Sequence, residues 1–303
     1  MKKTLLPVIL LLVCLISACS NDSSADGNSS ENTEMITYES ENGPIEVPAD
    51  PQRVVVLSSF NAGSVMALDV NIVGVDTWAK MNPRYEPYLE GAEEVTDESL
   101  EKVIELEPDL IIAEPASSNL DRLKEIAPTV TYTYGAVDYL TQHLEVGKLL
   151  NKEEEAKEWI DDYQERAREA GEEIKAEIGE DATVSVMETF DKQLYVFGDN
   201  FGRGTELLYQ EMGLAKPEKV EEMTSDEGYY ALSTEVMSDY AGDFIILSSD
   251  GEDLSFQETE TYKRIPAVEN DRVFIADADE FYFNDPITLE YQLEFFKDNF
   301  ISN

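Results

Sequence analysis

One histidine, two cysteines and a shortage of basic residues set limits on this chain before any motif is read. His143 is the only histidine among 303 residues, and both cysteines, Cys14 and Cys19, fall near the start. Zinc and copper sites of the usual His/Cys kind are therefore excluded. Beyond Cys19 there is neither a disulfide nor a thiol, so stability must come from core burial. Any Ser-His-Asp triad would need His143, and no G-x-S-x-G segment accompanies it. Three residues from Leu140 and four from Gly147 on a helical stretch, it reads as a packing or surface residue. Walker loops, G-x-G-x-x-G and calcium loops are all missing. Lysine and arginine number 22 against 65 acidic residues, a net charge of -43. That surplus disfavours nucleic acids and anionic membrane surfaces as partners. Carboxylate pairs are so common that no glycosidase-like pair can be singled out. No enzyme and no resident cofactor can be read from this composition; what remains is a binder.

The N-terminus is informative. Lys2 and Lys3 precede an apolar stretch over residues 5–16, too short for a membrane span and followed by small residues. Residues 1–18 thus read as a signal peptide. Ile16-Ser17-Ala18-Cys19 puts an aliphatic residue three places before a cysteine, the pattern of a bacterial lipobox, with Cys19 as the lipidation site. Residues 19–34 are rich in Ser, Asn, Asp and Glu and read as a flexible tether. The expected location is the outer face of the cell membrane, held there by lipid.

After a short hairpin over residues 35–47, apolar strands at 53–57, 71–75, 109–113 and 129–133 alternate with helical stretches, as in a parallel sheet covered on both faces. From about residue 152 to 178, Ala156, Trp159, Ile160, Tyr163, Ala167, Ala170 and Ile174 recur at spacings of three and four, which predicts one long amphipathic helix. Strand–helix alternation then resumes, ending in a helix over 286–300. The fold class is α/β, with two Rossmann-like lobes (35–150 and 180–303) joined by a connecting helix (151–179). A ligand would lie in the cleft between them.

Three segments place aromatic rings where loops belong. They are Leu194 to Gly204 (LYVFGDNFGRG), Glu280 to Pro286 (EFYFNDP) and Thr131 to Gly135 (TYTYG). The first is expected to expose Phe201 and Arg203 on a glycine-flanked turn. Strand alternation would bury some of these rings as core. As a group beside glycines they fit a cleft better, where rings give flat apolar contact and Arg203 donates to an oxygen-rich ligand.

From about residue 53 onward the chain resembles the iron(III)-siderophore-binding lipoproteins of Gram-positive ABC importers, of the class III periplasmic-binding-protein superfamily, and most of all the hydroxamate binders. The carrying residues are Ser99-Leu100-Glu101-Lys102 with Pro108-Asp109-Leu110-Ile111-Ile112, Gly198 to Gly204, and Tyr282-Phe283-Asn284-Asp285-Pro286. The resemblance implies two lobes on a rigid helix and iron held only through its siderophore. It also implies that Arg203 bonds hydroxamate oxygens, with Tyr195, Phe201, Tyr282, Tyr134 and Trp78 lining the cleft. Tryptophan is usual at the Phe201 and Tyr282 positions. Glu101 and Glu235 match the family's two permease-docking glutamates. The implied partners are a siderophore, an ABC permease and, through the lipid, the membrane; the chain is expected to be a monomer.

Other ligands compete with hydroxamates: a catecholate or citrate chelate, haem, or cobalamin. Catecholate and citrate complexes are strongly anionic and call for several cations in the cleft, where Arg203 alone can be placed. A lipid-anchored hydrolase lacks its catalytic groups here. A pure interaction module would have no use for an aromatic cleft with an arginine.

Overall fold

The computed structural model describes residues 34–251 and 254–301; the signal-peptide, Cys19 and tether assignments lie outside the described residues. Among the described residues twelve strands form one hairpin and two five-stranded sheets. β1 (Met35–Ser40) pairs with β2 (Gly43–Pro48), turning at Glu41 and Asn42. The first sheet contains β3 (Val54–Val56), β4 (Ile72–Val75), β5 (Glu93–Glu94), β6 (Leu110–Ala113) and β7 (Thr129–Thr131). Its order is β5-β4-β3-β6-β7, with every pairing parallel. Strands as short as β3 hold because both faces are covered. Val54 and Val56 enter one core, with Ile112 and Tyr85, and Val55 enters another, with Ile111 and Val103.

The second sheet contains β8 (Val184–Phe190), β9 (Gln193–Phe197), β10 (Tyr229–Leu232), β11 (Phe244–Ser249) and β12 (Val273–Asp277), in the order β10-β9-β8-β11-β12. β8, β11 and β12 are parallel, whereas β8–β9 and β9–β10 are antiparallel. The strand–helix alternation expected here is therefore broken by a hairpin. Its turn, Asp191-Lys192, takes positive φ at both residues (47° and 63°). Tight hairpins require that conformation, and Asn-Gly usually advertises it.

The connecting helix runs Glu153–Ile178, a length of roughly 39 Å at the standard rise. Its stripe spans both lobes: Ala156 belongs to the first core, and Tyr163, Ala167, Ala170 and Ile174 to the second. The C-terminal helix, Pro286–Phe300, lies against it. Arg166 clamps Glu290 across the pair with both Nη atoms (2.7 Å for Nη1), and Trp159 Nε1 donates to the same carboxylate at 3.1 Å. The start of that last helix turns toward the first lobe. Phe283 is in the first core, and Asp285 accepts from the Tyr85 hydroxyl while capping Ile287 and Thr288. Among the described residues no helix is long and apolar enough to cross a membrane.

Candidate functional site

The end of β9 leads into Gly198–Thr205, where three successive residues, Gly202, Arg203 and Gly204, hold φ of 70°, 56° and 78°. Left-handed backbone costs an L-residue such as Arg203 about 1 kcal/mol or more. The glycines on either side have a steric reason as well. A Cβ on Gly202 would sit 2.5 Å from the Tyr282 carbonyl oxygen, and one on Gly204 would sit 2.6 Å from Phe296 Cζ. A short π-helix, Glu206–Glu211, follows.

This backbone drives the Arg203 side chain inward rather than outward. The expected exposure of Arg203 is corrected here: the residue is only 6% exposed. Nε lies 3.2 Å from both oxygens of Glu188, and Nη2 donates to Glu188 Oε1 at 2.8 Å. Glu188 is 1% exposed and also accepts from Ser248 Oγ at 2.9 Å. Nη1 donates to the Phe201 carbonyl at 3.1 Å. Of the guanidinium's five N–H donors, Glu188 and the Phe201 carbonyl engage three, and the Tyr282 hydroxyl interacts with the group as well. Its carbon stands 3.9 Å from the Tyr282 ring centre and 4.8 Å from that of Phe197, a charge bracketed by aromatic faces.

The sequence-predicted rings join one network around this arginine. Trp78 meets Tyr282 at 5.2 Å, and Tyr134 meets Phe201 at 6.4 Å; both contacts bring a first-lobe ring against a ring from the second half of the chain. Tyr195 joins through Phe197 and through Tyr229. In the run Phe281-Tyr282-Phe283 the outer two rings are core residues of different lobes, and only Tyr282 is left half-buried at the cleft. Sequence reasoning missed Glu188, Phe190, Tyr229 and Phe60. Phe190 stacks obliquely near Trp78, and Phe60 lies 4.4 Å from Tyr134. A signal for Glu188 did exist: it shares a strand face with Val184 and Val186, so alternation points it inward.

Beside the rings lies a cavity of about 630 Å³ lined from both lobes, by Asn61, Glu114 and Tyr134 on one side and Asn200, Glu206 and Asn284 on the other. Burial raises the Glu206 carboxyl above the usual range, and hydrogen bonds from the Gly202 amide and Asn284 Nδ2 work against that rise. Burial likewise raises the Tyr134 phenol, with Glu206 adding to it. Glu101 and Glu235 lie elsewhere, both solvent-exposed, at the start of the helix Leu100–Glu105 and of the 3-10 turn Thr234–Asp239. His143 is buried edge-on to Trp159, with no hydrogen bond to either nitrogen, and burial pushes it down to about 4. It is a neutral packing residue at physiological pH. Among the described residues no group of three or more His, Cys, Asp or Glu could hold a metal.

Two α/β lobes on a single long helix, with a ring-lined cleft between them, define a substrate-binding protein. The chain belongs to the periplasmic binding protein family, whose model matches residues 54–280. It is 38% identical over 295 residues to the iron(3+)-hydroxamate-binding protein FhuD of Bacillus subtilis (strain 168), covering 94% of this chain and 93% of that one. To the iron(3+)-hydroxamate-binding protein YxeB of the same organism it is 36% identical, covering 99% and 98%. The solved structure of FhuD2 from Staphylococcus aureus with bound ferrioxamine B superposes with a TM-score of 0.79 at 34% identity, covering 83% of this chain and 98% of that one.

Proposed function

We propose that this chain is an extracellular, lipid-anchored binding protein that captures iron(III)-hydroxamate siderophores and delivers them to an ABC importer. The observation that carries this reading is the Arg203 constellation. A guanidinium fixed by a buried carboxylate stands amid rings from both lobes, with N–H donors beyond those that Glu188 takes. Such a group suits hydroxamate oxygens around an already saturated iron. The adjoining cavity falls in the size range of small-molecule sites. Charge favours a hydroxamate over the alternatives: a trihydroxamate complex is near neutral, whereas catecholate and citrate complexes would face Glu114 and Glu206 with one cation, itself paired. Arg203 would donate to the chelate, while Tyr195, Phe201, Tyr282, Tyr134 and Trp78 supply contact. In the same reading residues 1–18 are removed, Cys19 carries the lipid, 19–34 tether the domain, and lobes 35–150 and 180–303 flank the connecting helix 151–179. The protein acts as a monomer.

The test is fluorescence titration of the full chain in detergent with ferrioxamine B, ferrichrome, a ferric catecholate and cobalamin. Saturable submicromolar quenching by a hydroxamate, weakened in Tyr282→Ala, is the expected result; tight binding of only the catecholate or cobalamin would overturn the ligand class. For Glu101 and Glu235 the proposed role is permease docking. Charge reversal at either should lower iron uptake by cells and leave ligand affinity unchanged; normal uptake removes the assignment.

A further inference from the structure

We propose that the cavity beside the rings takes a protonated amine arm of the chelate, so that cationic hydroxamate complexes bind more tightly than neutral ones. The inference rests on the hydroxamate reading above and narrows its substrate class.

Five carboxylates line the cavity, and no lysine or arginine does so among the described residues. Four of the five already have work, Glu206 by accepting from the Gly202 amide, Asn284 Nδ2 and Thr205 Oγ1. Asp138 caps the helix Tyr139–Leu149 through the amides of Leu140 and Thr141, and Asp285 caps Pro286–Phe300. Asp199 is ion-paired with Lys216 at 2.8 Å. Glu114 takes one hydrogen bond, from Ser58 Oγ, and neither it nor Glu206 has a cationic partner among the described residues; the two stand on opposite sides of the cavity. The nearby Arg203 does not offset them, because its charge is matched by Glu188.

A second observation points to a ligand independently of charge. Asn61 is 3% exposed and lines the cavity, yet its Oδ1 has no hydrogen-bond partner. Its Nδ2 donates to Ser58 Oγ at 2.9 Å, and that hydroxyl donates to Glu114 Oε1 at 3.3 Å. Ser58 thus holds a buried, unpartnered carbonyl acceptor and a carboxylate side by side. Leaving a buried acceptor unmet is costly, and buried polar groups are nearly always paired. An ammonium is the complementary group: three donors, no acceptor and a positive charge. An amide or hydroxyl arm could donate to Asn61 but brings no positive charge to offset the two glutamates. Tyr134 lines the cavity and also touches Phe201 in the ring network. An arm leaving a chelate seated on the rings therefore reaches this cavity directly.

Two ligands with the same iron centre isolate the effect: ferrioxamine B, which ends in a primary amine, and its N-acetylated form, which has lost that charge. Both are titrated into the full chain in detergent, at about 20 mM and about 0.5 M salt. The expected result is an amine form at least about fivefold tighter at low salt, its advantage shrinking at high salt. Glu114→Gln keeps an acceptor for Ser58 and should weaken the amine form by more than it weakens the acetylated one. Equal affinities at low salt, or an advantage indifferent to salt and to Glu114→Gln, would overturn the amine subsite and leave hydroxamate binding standing. Failure of both ligands to bind would remove the hydroxamate reading and this inference with it.

Discussion

On the first lobe's side of the cleft two rings are only half covered: Trp78 is 44% exposed on a five-residue helix, and Tyr134 is 47% exposed beside Gly135, its hydroxyl end the more enclosed part. On the other side Arg203 is 6% exposed, locked to Glu188 and held by left-handed backbone between two glycines. The second wall spends stability on a buried charge pair and a disfavoured φ, and gains a guanidinium whose position is fixed before any ligand arrives. The first wall spends almost nothing and keeps its rings free to adjust. One wall fixes orientation; the other adapts to the shape presented.

The strongest way to break that contrast is Arg203→Ala. It leaves Glu188 buried with only Ser248 as a donor, which should cost about 3–5 kcal/mol. Adding Glu188→Gln should recover a clear part of the loss, because a neutral amide needs no counter-charge. Urea unfolding of the single and double variants reads both effects. A single-variant cost below about 1 kcal/mol would mean that the pair does not hold the wall.

How far this asymmetry could be read beforehand depends on what each feature needs from the chain. The parallel first sheet and the connecting helix are written in long-period patterns, continuous apolar strands and a stripe at three-and-four spacing, and both appear within a residue or two of expectation. The β8–β9 hairpin carries no such mark, because its turn forces Asp191 and Lys192 into positive φ with no glycine or asparagine as a sign. The G-R-G segment could be recognised as functional. Its inward direction depends on Glu188, one acid among 65, whose strand position alone distinguishes it. Phe281 and Phe283 are core and Tyr282 is cleft because the segment passes between two cores, a tertiary fact that local sequence does not hold.

A smaller effect sharpens the contrast by testing how the two walls are fastened. Tyr85 is fully buried in the first lobe, and its hydroxyl donates to Asp285, which leads the C-terminal helix. Asp285 is itself buried, and burial raises its carboxyl above the usual range, so losing a donor is felt directly. Tyr85→Phe keeps the ring's stacking on Phe283 and should cost about 1–3 kcal/mol. Because Tyr85 itself does not line the cavity, ferrioxamine B affinity should change less than stability does. A variant of unchanged stability would show that ring packing alone joins them.

The smallest effect on stability, and the most telling for the adaptable wall, is expected from Trp78→Ala. The ring touches Tyr282 and Phe190 but is in no core, and its helix is capped by Asp76, so unfolding should move by no more than about 0.5 kcal/mol. Affinity should move further: losing one aromatic face at a ligand is worth about 1 kcal/mol, or roughly fivefold in Kd by calorimetry. The optical signal discriminates further, since the chain has 2 tryptophans. Trp159 is stacked on Tyr163 and bonded to Glu290, away from the cleft. Ligand-dependent quenching should therefore fall sharply in Trp78→Ala while calorimetry still reports binding. If quenching persists undiminished, the chelate does not sit against the first lobe's wall, and the cleft has one working side.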